Sequence, residues 1–328
     1  MSPTRRHVLK GLAAGVSSLT VSSPNILRAQ DAHRLTWATF TPGFVPAFMQ
    51  MTLDKGLDRK HGVSLAPPIP YTALTSYFGD FAAGAYDMCF GNWETFAVRA
   101  VAGVPVRYLC GINPGDLLNF VTKSDSIRTV GDLRGKVLAA TTSSGTYRLV
   151  TGLVHAFYGI DLQKEATIQT VDHPLAGVTL VLADRADAAL AWEPSVTMGM
   201  AKDPKLRVLL NMGDAYRRHE KAEMPYLGLA IRSEAVERQP GMMPKLQAVF
   251  ADAVAAMNAD PGAAYRAAEK AIGLPADILV RATESGRLKY RFAAMTDADE
   301  RQAVVRSSEI LAQAKGLSAP MPDSFFVK

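Results

Sequence analysis

Residues 134–150, RGKVLAATTSSGTYRLV, are the stretch on which the fold reading turns. Val137 to Ala140 is a short apolar run that follows Gly135 and ends in small hydroxylated residues, the pattern of a buried strand. A helix is predicted next. Thr142, Ser143 and Ser144 are N-cap candidates, and Val150, Leu153, Val154 and Phe157 recur on one helical face. Gly145 lets a ligand approach the backbone, and Thr146 closes the hydroxyl-rich run. A strand that runs into such a start leaves N–H groups unpartnered at the positive end of the helix dipole, where an anion or carboxylate is favoured. In the plainer reading the hydroxyls only cap the helix.

Moving outward, 328 residues are enough for two domains, and an apolar fraction of 48% describes a globular chain with a sizeable core. The first segment differs from the rest. Residues 1–29 carry Arg5, Arg6, Lys10 and Arg28 and no acid, with a mildly apolar, small-residue stretch after Lys10. TRRHVLK resembles the twin-arginine export motif, so 1–29 is expected to be an export signal that is removed. Losing those four cations takes the formal charge from +5 to +1, so the basic balance does not point to nucleic acid. The expected mature protein is free, soluble and periplasmic, because no cysteine near the cleavage point takes a lipid. Cys89 and Cys110 lie in apolar strand-like runs and read as buried free thiols, with a disulfide left open by the oxidising compartment.

The remaining chain alternates strand and helix. Strands are expected at 34–38, 63–66, 86–90 and 106–110, with helices between them, which implies mainly parallel sheets flanked by helices. Ligands of such sheets sit beyond the carboxyl ends of the strands. The loops there hold Thr41, Tyr71, the group Asn92, Trp93 and Glu94, the run Thr142 to Thr146, and the pair Trp192 and Glu193. Hydroxyls, amides and aromatics in that position suit a small polar ligand. Taken singly, each residue has a plain structural use as a cap, a packing ring or a solvated acid. Farther on, Pro244 opens a helix whose apolar face is Leu246, Val249, Phe250, Val254 and Met257. Thr296 with Asp299 is expected to cap another that ends near Gly316.

Three stretches, SDSIRTVGDLRGKVLAATTSSGTYRLV (124–150), ADRADAALAWEPSVTMGMA (183–201) and SEAVERQPGMMPKLQAVFADAVAAM (233–257), resemble periplasmic substrate-binding proteins of ABC transporters. The type is the nitrate, sulfonate and taurine one, within the thiamine-pyrimidine-synthase-like superfamily. The resemblance implies a two-lobed α/β fold of the type II periplasmic-binding-protein class with a helical C-terminal region. It puts lobe 1 at 34–117 plus 227–328 and lobe 2 at 118–226, closing on a solute by a hinge. The implied ligand positions are Thr41, Asn92 to Glu94, Thr142 to Thr146, and Trp192 with Glu193. The implied partner is an inner-membrane ABC permease, with a monomer expected and neither nucleic acid nor cofactor. Glu94 and Glu193 depart from what a simple inorganic anion needs. A zwitterion reconciles the parts, its acid on the second-lobe helix start and its nitrogen near a carboxylate.

Enzymatic readings find less support. VGDLRGKV (130–137) has three residues between Gly131 and Gly135 and Val137 after the lysine, so it is no phosphate loop and reads as a helix end turning into a strand. There is no G-x-S-x-G elbow, and His33, His61, His155, His173 and His219 lack metal-ligand spacing. Fungal thiamine-pyrimidine synthases resemble the same family but carry a cysteine-rich iron-binding segment that two cysteines cannot supply. Binding of a pyrimidine precursor, or a soluble receptor for a membrane sensor, remains as an alternative to solute import.

Overall fold

In the computed structural model, residues 34–327 are described; the export signal expected at 1–29 lies outside them. Eleven strands are assigned among these residues: β1 (Trp37–Phe40), β2 (Ile69–Tyr71), β3 (Met88–Asn92), β4 (Val106–Asn113), β5 (Leu118–Thr122), β6 (Val137–Ala140), β7 (Thr167–Thr170), β8 (Ala188–Trp192), β9 (Arg207–Asn211), β10 (Leu227–Arg232) and β11 (Ala293–Ala294). They form two sheets, in the orders β11-β4-β10-β3-β1-β2 and β7-β6-β8-β5-β9. Helices join successive strands, giving the expected two-sheet α/β architecture.

Both sheets are mixed, and topology explains why. β1 pairs in parallel with β2 and β3, while β10 runs antiparallel to β3 and β4. Likewise β6 is parallel to β7 and β8, while β5 is antiparallel to β8 and β9. β5 and β10 are the strands that the chain enters on crossing from one sheet to the other. A crossing chain arrives at the edge where the other strands end, so it must run the opposite way.

Alternation assigns the cores. One apolar core is continuous from Tyr77, Phe81 and Phe96 beside the first sheet to Phe120, Leu138 and Leu153 beside the second. Trp37, Phe48 and Phe250 fill the opposite face of the first sheet, and Val121, Ala139 and Val178 that of the second. Cys89 lies opposite Ala230 and Cys110 opposite Leu229, on strands separated by β10. Adjacent residues of β10 point to opposite faces, so the two thiols do too, and both are free and buried.

Several boundaries differ from expectation. The second strand forms at Ile69–Tyr71 instead of 63–66, where only Leu65 bridges to Leu35. Its Pro70 is tolerated because β2 is an edge strand, paired with β1 alone. The first and third strands run two residues farther than expected, to Phe40 and Asn92. The last long helix, Ala298–Gln313, is capped by Asp297, whose Oδ1 accepts from the N–H groups of Asp299 and Glu300. Thr296, the expected cap, donates instead to Gln247 Oε1 at 3.0 Å. Expected with the first lobe, this helix packs on the helix Gly145–Tyr158, where Leu311 and Ala314 approach Gly152. Tyr216, on the helix Met212–Glu220, also bonds to Ser307 of this helix at 2.8 Å.

Candidate functional site

The strand–helix junction read from residues 134–150 forms as expected. β6 spans Val137–Ala140, and Ser144 caps the helix Gly145–Tyr158 by accepting from the N–H of Tyr147 at 3.2 Å. Ser144 Oγ also donates to the Thr141 carbonyl, closing the turn. Thr142 shares a hydroxyl contact with Thr170 at the end of β7, and Ser143 is exposed.

Across from this corner stands the end of β3. Asn92, Trp93 and Glu94 were expected in a loop, but the strand passes directly into the helix Trp93–Val101. Asn92 makes this possible: Oδ1 accepts from the N–H of Thr95 at 2.7 Å, so one side chain ends the strand and caps the helix. Its Nδ2 donates to Thr146 Oγ1 at 3.2 Å, and Thr146 is in turn 2.6 Å from the hydroxyl of Tyr226. The end of β3, the helix that follows β6 and the crossing segment thus share one hydroxyl. Trp93 is fully buried, with Nε1 donating to the Pro225 carbonyl in the crossing segment.

Glu94 lies between the starts of the two helices. Its side chain is completely buried and accepts from Arg148 Nε at 2.8 Å. Gly145 is what permits the approach: a methyl group there would collide with the Glu94 carboxylate and come within 2.6 Å of Thr95 Oγ1. Burial pushes the Glu94 carboxyl above its ordinary range, against the opposing pull of Arg148 and Arg99.

Glu193 belongs to a separate cluster. It follows Trp192, the half-buried last residue of β8, and is itself buried. Glu193 Oε1 accepts from Arg287 Nε at 2.6 Å and from the Thr197 hydroxyl, while Oε2 accepts from the Thr197 N–H. Nearby, Asp116 in the crossing segment accepts from Arg217 and Lys289, each at 2.7 Å. Burial raises its pKa, but the two cations outweigh that and hold it below the usual carboxylate range. A cavity of about 330 Å³ opens here beside the crossing segment, lined by Asp116, Asn119, Asn211, Asp214, Arg287 and Lys289 among others.

The expected positions therefore separate. Asn92, Glu94, Gly145 and Thr146 meet, whereas Glu193 sits apart with Arg287. Thr41 lies at the end of β1, its N–H donating to the Tyr71 carbonyl. The Tyr71 hydroxyl donates to Asp80 at 2.7 Å. β1 and β2 are one and two strands from β3, so Thr41 and Tyr71 lie roughly 5 and 10 Å along the edge from the Asn92 contact.

Arg148, Tyr226 and Arg287 were not foreseen. Arg148 left one signal, since a cation in the first turn of a helix opposes the dipole and implies an acidic partner. The other two are brought in by segments remote in sequence, with no local pattern to mark them. The histidines take structural parts: His61 pairs with Asp252, His173 caps the helix Pro174–Leu182, and His219 stacks on Phe157. Among the described residues, no group of three or more His, Cys, Asp or Glu side chains could hold a metal ion.

Residues 59–264 match the family model described as NMT1/THI5 like. No curated protein matches the chain. Among solved structures, the fold is similar to the periplasmic aliphatic sulphonate binding protein SsuA from Escherichia coli. The TM-score is 0.72 at 15% identity, covering 90% of this chain and 92% of that one. The alkanesulfonate-binding protein SsuA from Xanthomonas axonopodis pv. citri, bound to MOPS, gives 0.66 at 16% identity over 87% and 94%. A ligand binding component of an ABC-type import system from Staphylococcus aureus, with zinc bound, gives 0.68 at 14% identity over 90% and 96%. At these identities the likeness is one of fold.

Proposed function

We infer that this chain, which belongs to the NMT1/THI5-like family, is the exported solute-binding component of an ABC importer. The observation that carries the reading is the meeting of a strand end and a helix start: the end of β3 in one sheet and the helix that follows β6 of the other are bridged through Asn92, Thr146 and Tyr226, beside the segments that join the lobes. Such an arrangement can shut on a small molecule and stabilise the shut form by its greater affinity for it. The lobes of the proposed device are 34–117 with 227–328, and 118–226. The helix Ala298–Gln313 lies as a strap on the second.

The proposed solute is small, polar and neutral overall, a zwitterion or an N-heterocycle. Glu94 and Glu193 each already have an arginine partner, so a bare anion or cation would leave the cleft with an unbalanced charge. Thr41, Tyr71, Thr142 and Trp192 remain partly exposed at the strand ends, and Ser143 fully so, to supply hydroxyls and an aromatic wall. Arrival by the twin-arginine route and delivery to a permease belong to the same proposal. A synthase-like role fits poorly, since Cys89 and Cys110 point away from each other on one sheet and offer no paired thiolate ligands.

To test the reading, the exported protein is purified without refolding, denatured, and the released solute identified by mass spectrometry and returned to stripped protein. One equivalent of a small polar molecule, recovered unchanged and raising the melting temperature on return, is expected. Recovery of a chemically altered product, or no retained or rebinding solute across sulfonate, amino-acid and N-heterocycle panels, would contradict it.

A further inference from the structure

The helix start at Ser144–Thr146 has the makings of an anion site, but an anion of the protein already stands in it. The Glu94 carboxylate packs against Gly145 so closely that a Cβ there is excluded, and Arg148, one turn into the same helix, donates to both carboxylate oxygens, at 2.8 and 3.4 Å. Glu94 is also in the first turn of its own nine-residue helix, so two positive helix ends converge on one carboxylate. In the turn that leads to this corner, the buried Thr141 Oγ1 has no hydrogen-bond partner.

We propose that Glu94 is a specificity-determining residue: its carboxylate fills the corner that a solute's acidic group would otherwise take, so small oxyanions are turned away there and the solute presents an N–H or cationic group to this wall. The proposal rests on the solute-binding reading and sharpens it. It also reverses the orientation expected from the sequence, in which the solute's acid lies on the second-lobe helix start. Excluding an anion by a fixed like charge is cheap in structure and strong in effect, because the incoming charge would have to be buried beside a carboxylate that cannot reach water. Arg148 then has a double part. It balances Glu94 when the corner is closed and is the cation that a free oxyanion would meet if Glu94 were gone.

The test uses the full-length exported protein with inorganic sulfate and nitrate as probes, comparing the natural chain with Glu94→Gln, Glu94→Ala and the double variant Glu94→Ala/Arg148→Gln. Calorimetric titration and thermal shift are read at constant ionic strength, with chloride as the control. Sulfate affinity at least tenfold tighter in Glu94→Ala than in the natural chain, and lost again in the double variant, is the expected result. Equal sulfate affinity in the natural chain and both single variants would overturn the proposal, as would a gain that persists without Arg148. Glu94→Gln keeps the size of the side chain, so a folding defect confined to Glu94→Ala is recognised by apo melting curves and the outcome is then read from Gln. Retention of the copurified solute by the natural chain is measured alongside. Solute retained with no anion gain removes the specificity role alone, and an anion gain with no solute retained supports it while removing the importer reading.

Discussion

Two seams join the halves of this molecule, and they use the same residue types to different ends. At the first, Glu94 meets Arg148; at the second, Asp116 and Glu193 meet Arg217, Lys289 and Arg287. The carboxylates of the two seams lie one or two strands apart, roughly 5–10 Å along the shared edge. Glu94 has one cationic hydrogen-bond partner, itself 40% exposed, and burial dominates its titration. Asp116 has two cations, and they dominate burial. Glu193 has an arginine, a hydroxyl and a backbone N–H. A carboxylate with one partner is ready to part from it, whereas one with two or three is a fixture. In the proposed device, the first seam is the one that opens and closes while Glu94 stays on its own helix, and the second holds the hinge.

The largest expected effect breaks the second seam. Asp116→Asn leaves Arg217 and Lys289 without their shared carboxylate and is expected to cost about 2–3 kcal/mol, toward the low side for a buried pair because both cations reach solvent. The folded-state pKa of Asp116 is depressed, so its stabilisation is present above the ordinary carboxylate value and is lost as pH falls through the folded one. Urea denaturation between pH 2 and 6 should therefore show a shallower acid decline in Asp116→Asn; curves parallel to those of the natural chain would contradict the clamp.

A smaller effect sharpens the first seam. Arg148→Gln should destabilise by about 1–2 kcal/mol, since it leaves the buried Glu94 unpaired, while Glu94→Gln should be within about 0.5 kcal/mol of the natural chain at neutral pH. The sign is opposite to that at Asp116. A raised folded-state pKa means the native state holds the proton more tightly, so stability falls as pH rises above the ordinary carboxylate value, and Glu94→Gln removes that fall. Smaller still, Ser144→Ala removes a helix cap and should cost about 1 kcal/mol by the same denaturation assay, with no change in its pH dependence.

Local pattern made β6 and its capped helix legible, because a four-residue apolar run and a hydroxyl-rich turn act through near neighbours. The junction at Asn92 is not legible in the sequence, since an amide that caps a helix has the same local pattern as one in a loop. Trp93 was misplaced for a different reason. A tryptophan at a strand end is equally suited to a ligand wall or to packing, and its partner, the Pro225 carbonyl, lies 132 residues away. Both acids are legible in the sequence as departures from a simple anion site. Their arginines were not found, because Arg148 and Arg287 are 54 and 94 residues from their partners and are delivered only by the crossing of the chain. Sequence periodicity reports which face of an element is buried, not which distant charge will lie against it.

Closure itself is most directly measured by pulsed electron–electron spin resonance between labels at Ala73→Cys and Asp172→Cys, two exposed positions beside β2 and β7. Cys89 and Cys110 are buried and would stay unlabelled. Addition of the copurified solute to stripped protein is predicted to shorten and narrow the distance distribution. An identical distribution with and without saturating solute would contradict a two-lobed device that shuts on what it carries.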